Sequence, residues 1–434
     1  MTKKLVYLFG FALFVLLVIG FYYLPPINSR LAWRVEELRL RVAYALNPPE
    51  EAVFVPGESA SNNPPLVSPT FPPTASPTPF ITETSPGPTS TPEPTATLPA
   101  SPTPLPSRID LGGIKYEDQH GRFNYCAPAT LSMALSFWGW EGNRDVVGPV
   151  IKPDPKDKNV MPYEMVDYIR NEAGLGAVLR SGGDIQTIKR FIAAGFPVLV
   201  EKGVYFRDLS GVVSWMGHYE VFNGYDDDQQ VLIGQDAFIG PNQLVPYETL
   251  VDNWRSFNYN YIVIYPPERE TEVMALLGQD ADENTNIQRA AQRASEEIFQ
   301  TIGIDQFFAW YNRGTSLQQL QDYAGAAAAF DEAFAIFPTI EEKDRPWRMI
   351  WYATGPYFAY FYTGRYYDVI GLADNTLNAI QGDKNLEETY YWRAMAKAAL
   401  GDTTGAIEDY RLALKYHPGF EPALYQLGVL GVEP

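Results

Sequence analysis

The chain has 434 residues, 46% of them apolar and 14% aromatic, which is more than one ordinary domain holds. Its 52 acidic and 33 basic residues leave a net charge of −19, which excludes a nucleic-acid partner held through phosphates. The single cysteine, Cys126, excludes an internal disulfide and a cysteine-rich metal site. Three histidines (His120, His218 and His417) supply a zinc site poorly, so no metal or cofactor is expected.

In chain order, Lys3 and Lys4 precede an uncharged apolar run, LVYLFGFALFVLLVIGFYYL, at 5–24. Some 20 apolar residues span a bilayer, so 5–24 is expected to be a transmembrane signal anchor behind a short cytoplasmic N-terminus, 1–4. Arg30, Arg34, Arg39 and Arg41 on the far flank leave the charge asymmetry indecisive; the stalk that follows favours an extracytoplasmic C-terminus. Leu31, Val35, Leu38 and Val42 recur at helical spacing and predict a juxtamembrane helix over 28–46. Residues 50–107, with segments such as SPTPLPS and STPEPTAT, are dominated by proline, serine and threonine from Pro65 onward. Such a segment buries too little apolar surface to offset chain entropy. It is expected to be a disordered spacer on the order of 100 Å long. Together these features point to a single-pass cell membrane protein.

Ordered sequence resumes at Arg108. In NYCAPATLSMALSFWGW the apolar residues Leu131, Leu135 and Trp138 share a helical face, Pro128 suits a first turn and Gly139 suits a stop. Cys126 therefore sits at a helix N-terminus, where the partial positive charge favours thiolate. His218 opens the strand pattern HYEVFNGY. A turn, Asp226-Asp227-Asp228, follows, and then a second strand ending at Asp236. A hairpin turning about Asp227 with no bulge places His218 directly opposite Asp236, where an acid orients an imidazole. Gln119, seven residues before Cys126, could donate to an oxyanion beside the Cys126 N–H. His120 lies in the loop QHGRFN and is the weaker base. The acidic turn has no calcium-loop spacing and reads as solvated.

Taken together, Gln119-x6-Cys126-Ala-Pro-Ala, Gly217-His218-Tyr219 and Asp236-Ala-Phe resemble cysteine peptidase family thirty-nine. GFPVLVE at 195–201 and YIVIYPPE at 261–268 resemble it too. That family includes the bacteriocin-processing, double-glycine leader peptidases. The resemblance covers 108–268 and implies a papain-like α+β fold for a domain at 108–267. The implied catalytic roles fall on Cys126, His218, Asp236 and Gln119. Ala127 stands where relatives commonly have glycine, a small departure.

A polar helical connector is expected at 268–306, and repeats at 307–434. Trp310, Gly314, Leu317, Ala326, Phe330, Ala333 and Pro338 resemble a tetratricopeptide repeat, with Arg313 in place of the usual leucine. A degenerate second unit carries Tyr357 where a small residue belongs, after an insertion at 341–348. A third runs from Glu387 through Gly401, Ala406, Tyr410, Ala413 and Pro418, and EPALYQLGVL reads as a cap. The expected architecture is thus a papain-like α+β domain and an all-α repeat domain behind a transmembrane helix. The expected function is a membrane-anchored cysteine peptidase acting on a peptide or protein substrate, with a protein partner or the substrate on the repeats. Two alternatives stay open: transamidation or cross-linking on the same residues, and a catalytically silent peptide-binding scaffold.

Overall fold

A computed structural model describes residues 3–23, scattered positions within 31–46, and then 53–58, 104–207, 211–380 and 382–434. Most of the expected juxtamembrane helix and stalk lies outside these residues. The apolar run forms helix α1, Lys3–Tyr22. Among the described residues, no helix is long and apolar enough to cross a membrane, so the expected transmembrane helix gains no support from the structure.

The middle of the chain builds one seven-stranded antiparallel sheet. Its strands are β1 (Arg108–Asp110), β2 (Gly176–Arg180), β3 (Val198–Arg207), β4 (Val213–Asp226), β5 (Val231–Asp236), β6 (Gly240–Pro246) and β7 (Tyr261–Tyr265). The order is β2-β7-β3-β4-β5-β6, with β1 added beside the end of β4. β4 is the spine. It pairs with β3 from Val213 to Phe222, with β5 from Val221 to Asp226 and with β1 from Gly224 onward.

Both sheet faces are covered, because successive residues of a strand alternate faces and both sets here are apolar. On one face lie α2 (Cys126–Phe137), α3 (Arg144–Ile151) and α4 (Pro162–Asn171). Their Ala129, Leu131, Leu135 and Met165 pack on Leu199, Tyr219, Val221 and Ile262. On the other lie α5 (Ile185–Ala193), α6 (Tyr247–Arg255) and α7 (Glu270–Leu277). Phe191, Trp254 and Leu277 there meet Val200, Phe222 and Val263. α2 is buried from Ala127 to Ser136, so it is a core helix and not a half-exposed one.

The expected connector contains α8 (Glu283–Glu297), which is fixed to the sheet domain. Asn286 accepts from Ser181 N–H and donates to Ser181 O, and Arg293 donates to Gly183 O. Antiparallel helix pairs follow: α9 (Gly303–Gln319) with α10 (Tyr323–Ile336), then, after the short α11 (Met349–Tyr352), α12 (Gly355–Tyr362) with α13 (Tyr366–Asn378). The last pair is α14 (Glu387–Ala399) with α15 (Thr403–Tyr416), capped by α16 (Glu421–Val429). Asp322 and Asp402 cap α10 and α15 by accepting from the N–H of Gly325 and Gly405. Gly314 is needed in its pair, since a Cβ there would lie 2.7 Å from the Phe330 ring.

The sheet domain and the helix pairs share a core. Trp215 and Phe257 belong to one cluster with Phe307, Phe308, Tyr311 and Phe330. Trp215 stacks on Phe257 at 5.7 Å, and Arg348 donates to Trp215 O at 3.0 Å. Residues 53–58 also differ from expectation. Within the stretch read as stalk, Phe54 is buried among the helix pairs.

Candidate active site

α2 begins at Cys126, and Pro128 in its first turn costs no hydrogen bond. The turn into the helix is held from outside. Asn124 adopts φ +46°, and the buried Lys152 ammonium donates to Phe123 O at 2.9 Å, Asn124 O at 3.2 Å and Asp157 O at 2.6 Å. Tyr125 packs over α3, where its hydroxyl would collide with any Cβ at Gly148.

β5 ends at Asp236, so the edge of β4 before Val221 is left without a strand partner on that side. α2 takes its place. Thr130 Oγ1 donates to Tyr219 O at 3.1 Å, and the Tyr219 N–H helps lower the Cys126 thiol. The half-buried cysteine is thereby set beside His218.

The His218 ring lies 2.9 Å from Asp236, through Nε2 and Oδ1, with both residues buried. That leaves Nδ1 as the ring nitrogen for the interaction with the Cys126 thiol. The expected register is corrected, however. Val221 pairs with Gln235 and Phe222 with Gly234, and the register shifts by one between Phe222 and Gly224. His218 is therefore not directly opposite Asp236; continuing the Val221–Gln235 register sets Glu220 opposite it. His218 and Glu220 share a face, so the histidine meets the aspartate diagonally.

The charges reinforce this contact. Burial by itself raises the Cys126 thiol, but the hydrogen bond and positive charge of His218, with help from Tyr219 N–H and Lys152, bring it below its ordinary value. Burial likewise depresses His218, yet the charge and hydrogen bond of Asp236, then Cys126, raise it to about 9. Burial raises the Asp236 carboxyl, whereas His218, Lys202 and Ile239 N–H hold it well below the carboxylate range. Asp236 Oδ1 also accepts from the N–H groups of Phe238 at 2.8 Å and Ile239 at 3.0 Å. The Cys126 and His218 shifts both act in the direction of a thiolate–imidazolium pair.

Gln119 reaches the same strand end: its N–H donates to Ala237 O at 2.8 Å, and its side-chain oxygen is buried with no hydrogen-bond partner among the described residues. His120 is exposed and stacks on Phe238 at 5.3 Å, apart from the His218–Asp236 contact. The acidic turn is solvated only in part: Asp228 is exposed, whereas Asp226 is buried and Asp227 half-buried. Asp226 accepts from Asp228 N–H and Gln229 N–H, and Asp227 pairs with Lys189 at 2.6 Å.

Sequence reading missed three charged groups. Lys202, opposite His218 on β3, pairs with Glu220 and lies 3.8 Å from Asp236 Oδ2. Lys152 is the third, its ammonium brought to about 8, chiefly by burial. The β3–β4 register was the available signal for Lys202; nothing local marks Lys152. Elsewhere, Glu164, Glu387 and His417 each place one potential ligand atom within 4.8 Å of the others. There His417 Nδ1 and Glu387 Oε1 are 2.9 Å apart, a contact between the start of α14 and the residue that follows α15.

Residues 112–262 match the model of the Peptidase_C39 like family, a span that includes Gln119, Cys126, His218 and Asp236. Residues 307–340 and 387–419 match tetratricopeptide repeat models, corresponding to the α9–α10 and α14–α15 pairs. Among solved structures, a protein from Bacillus anthracis described as a C39-like peptidase is 16% identical, covering 36% of this chain and 96% of its own. Its TM-score is 0.30. No curated protein matches the chain. The chain thus carries a C39-like peptidase domain followed by tetratricopeptide repeats.

Proposed function

We propose that this protein is a membrane-anchored, extracytoplasmic cysteine peptidase that hydrolyses peptide bonds. The observation that carries the reading is one buried imidazole hydrogen-bonded to Asp236 at 2.9 Å, with the Cys126 thiol as a second electrostatic partner. In this mechanism the Cys126 thiolate attacks a peptide carbonyl carbon, forming the C–S bond. The oxyanion is held by the unpaired Cys126 N–H at the start of α2 and by the Gln119 amide. The His218 imidazolium gives its proton to the leaving nitrogen as the C–N bond breaks, leaving a thioester. Neutral His218 then takes a proton from water, whose oxygen attacks the thioester carbonyl. Loss of the C–S bond releases the acid and restores the thiolate–imidazolium pair. Asp236 keeps the ring oriented throughout and stabilises its charged form.

The repeats serve to bind substrate or a protein partner, and the 5–24 run anchors the chain. The supports for anchoring are the uncharged apolar length and the lysines before it. The deciding experiment combines a thiol-directed probe with a peptide-cleavage assay on the full chain. Cys126 should label at neutral pH and Cys126→Ala should abolish cleavage. An unlabelled Cys126, or undiminished cleavage by Cys126→Ala, defeats the enzymatic reading. Resistance to alkaline extraction from membranes tests the anchor.

A further inference from the structure

Val53–Glu58 reads VFVPGE and precedes the proline-rich stretch. Its backbone has a local reason for its shape. Pro56 and Gly57 occupy the two central positions of a turn closed by Glu58 N–H to Val55 O at 3.3 Å, and Gly57 takes φ +83°. Proline followed by a positive-φ glycine is the type II signature, so the turn is favoured before any docking.

Phe54 and the Gly57 N–H of this segment both meet the repeats. Phe54 is 8% exposed, whereas its neighbour Val55 is 48% exposed. The Phe54 ring meets Phe334 edge-on at 5.1 Å and Tyr360 at 6.2 Å. Three residues on, Gly57 N–H donates to Asp368 Oδ1 at 2.8 Å. That carboxylate is pre-positioned: Arg365 Nε donates to its other oxygen at 2.7 Å, while the same guanidinium grips Asp331 at 2.7 Å. A cavity of about 60 Å³ continues beside Phe54, lined also by Trp347, Met349 and Leu372.

We propose that the pocket between the first and second helix pairs is a peptide-binding site for a short Phe-x-Pro-Gly turn, and that its resident ligand is this chain's own Val53–Glu58 segment, bound in cis. One aromatic anchor and one charge-assisted hydrogen bond make a weak ligand when free. Tethering to the same chain supplies the effective concentration that keeps it bound. The segment is thereby fixed to the same folded unit as the peptidase domain. The distance from 58 to the peptidase domain is then set by the repeats and not by the length of 59–103. The inference rests on the repeats and is independent of any role for Cys126.

The test uses the full chain in detergent and a labelled synthetic peptide covering residues 51–59. The Phe54→Ala chain, with its pocket vacated, should bind the peptide at least about tenfold more tightly than the wild-type chain, where the resident segment competes. A peptide with alanine in place of phenylalanine should not bind, and Asp368→Asn in the Phe54→Ala chain should weaken binding. Gly57→Pro, which removes the donor and forbids the φ, provides a second vacated chain. Hydrogen exchange in α13 should rise in both vacated chains and fall again with excess peptide. Equal binding to wild-type and both vacated chains, or binding to neither vacated chain with melting temperatures unchanged, overturns the proposal. A dimer that the peptide dissociates overturns the cis assignment, since the ligand would then come from a second copy.

Discussion

His218 and Asp236 touch across a sheet diagonal that one bulge makes available. Near the turn, Asp226 pairs with Val231 and Tyr225 with Leu232. Carried on unbroken, that register sets Asp236 opposite Val221, on the face away from His218. The extra residue at Asn223 shifts the pairing by one and returns Asp236 to the face of His218. Asn223 is secured there by Gln235, which donates to its side-chain oxygen at 2.9 Å, and by its own donation to Leu111 O at 2.6 Å. A bulge-free hairpin was expected to deliver the pair; the bulge is what delivers it.

Replacing Asp236 with asparagine removes the charge that raises His218 to about 9. Peptide cleavage should fall by about 10²–10⁴-fold, and the alkaline limb of the pH–rate profile should move to lower pH. The stability consequence has a definite sign. His218 is raised, so its contribution is complete below about 6.5 and is lost as pH rises through about 9. Asp236 is lowered, so its contribution is complete above about 4 and is lost on further acidification. Urea unfolding from pH 4 to 10 should show the loss at the alkaline end in the wild type and a flatter curve in Asp236→Asn, the acid-side loss lying below this range.

Lys152→Met strips the donor from three carbonyls around the turn before Cys126. Hydrogen bonds from a charged group are worth about 1.5–3 kcal/mol, so urea unfolding should register a loss of at least that size. Because Lys152 also helps lower the Cys126 thiol, the pH midpoint of alkylation at Cys126 should rise. An unchanged midpoint would mean that the lysine acts on stability alone.

Gly217→Ala tests the contact between the His218 strand and the helix pairs. A Cβ at Gly217 would lie 2.9 Å from both the Phe257 and Tyr352 rings. Overpacking of this kind costs about 1–3 kcal/mol, and the displaced strand should slow cleavage with little change in thiol labelling. A crystal structure of the variant would locate the shift; unaltered stability would show that the rings yield freely.

The shared core around Trp215 implies that the peptidase domain depends on the repeats. A chain ending at residue 267 loses Phe307, Phe308 and Tyr311 from the cluster that buries Trp215 and Phe257. It should aggregate or lack near-ultraviolet circular dichroism, and the full chain should unfold in a single transition between these regions. A soluble truncated chain with native-like dichroism and cleavage activity would contradict this coupling.

Local pattern by itself determined several features. Helical spacing with Pro128 and Gly139 placed Cys126 at the start of a helix, and the 34-residue period marked the matched repeats. These are properties of neighbouring residues, governed by backbone periodicity and by which residues begin or end a helix. Tertiary structure decided the rest. It set the bulge at Asn223, drew Lys202 and Glu220 beside His218, and brought Lys152 under the turn into Cys126. It also moved Phe54 out of an apparent spacer into the repeats and fused two apparent domains through Trp215. Such outcomes turn on contacts between residues far apart in the chain, where one extra residue in a strand reverses which face a side chain takes. Alternation within a strand reports only that a side chain has a face; the partner waiting on that face is fixed by packing.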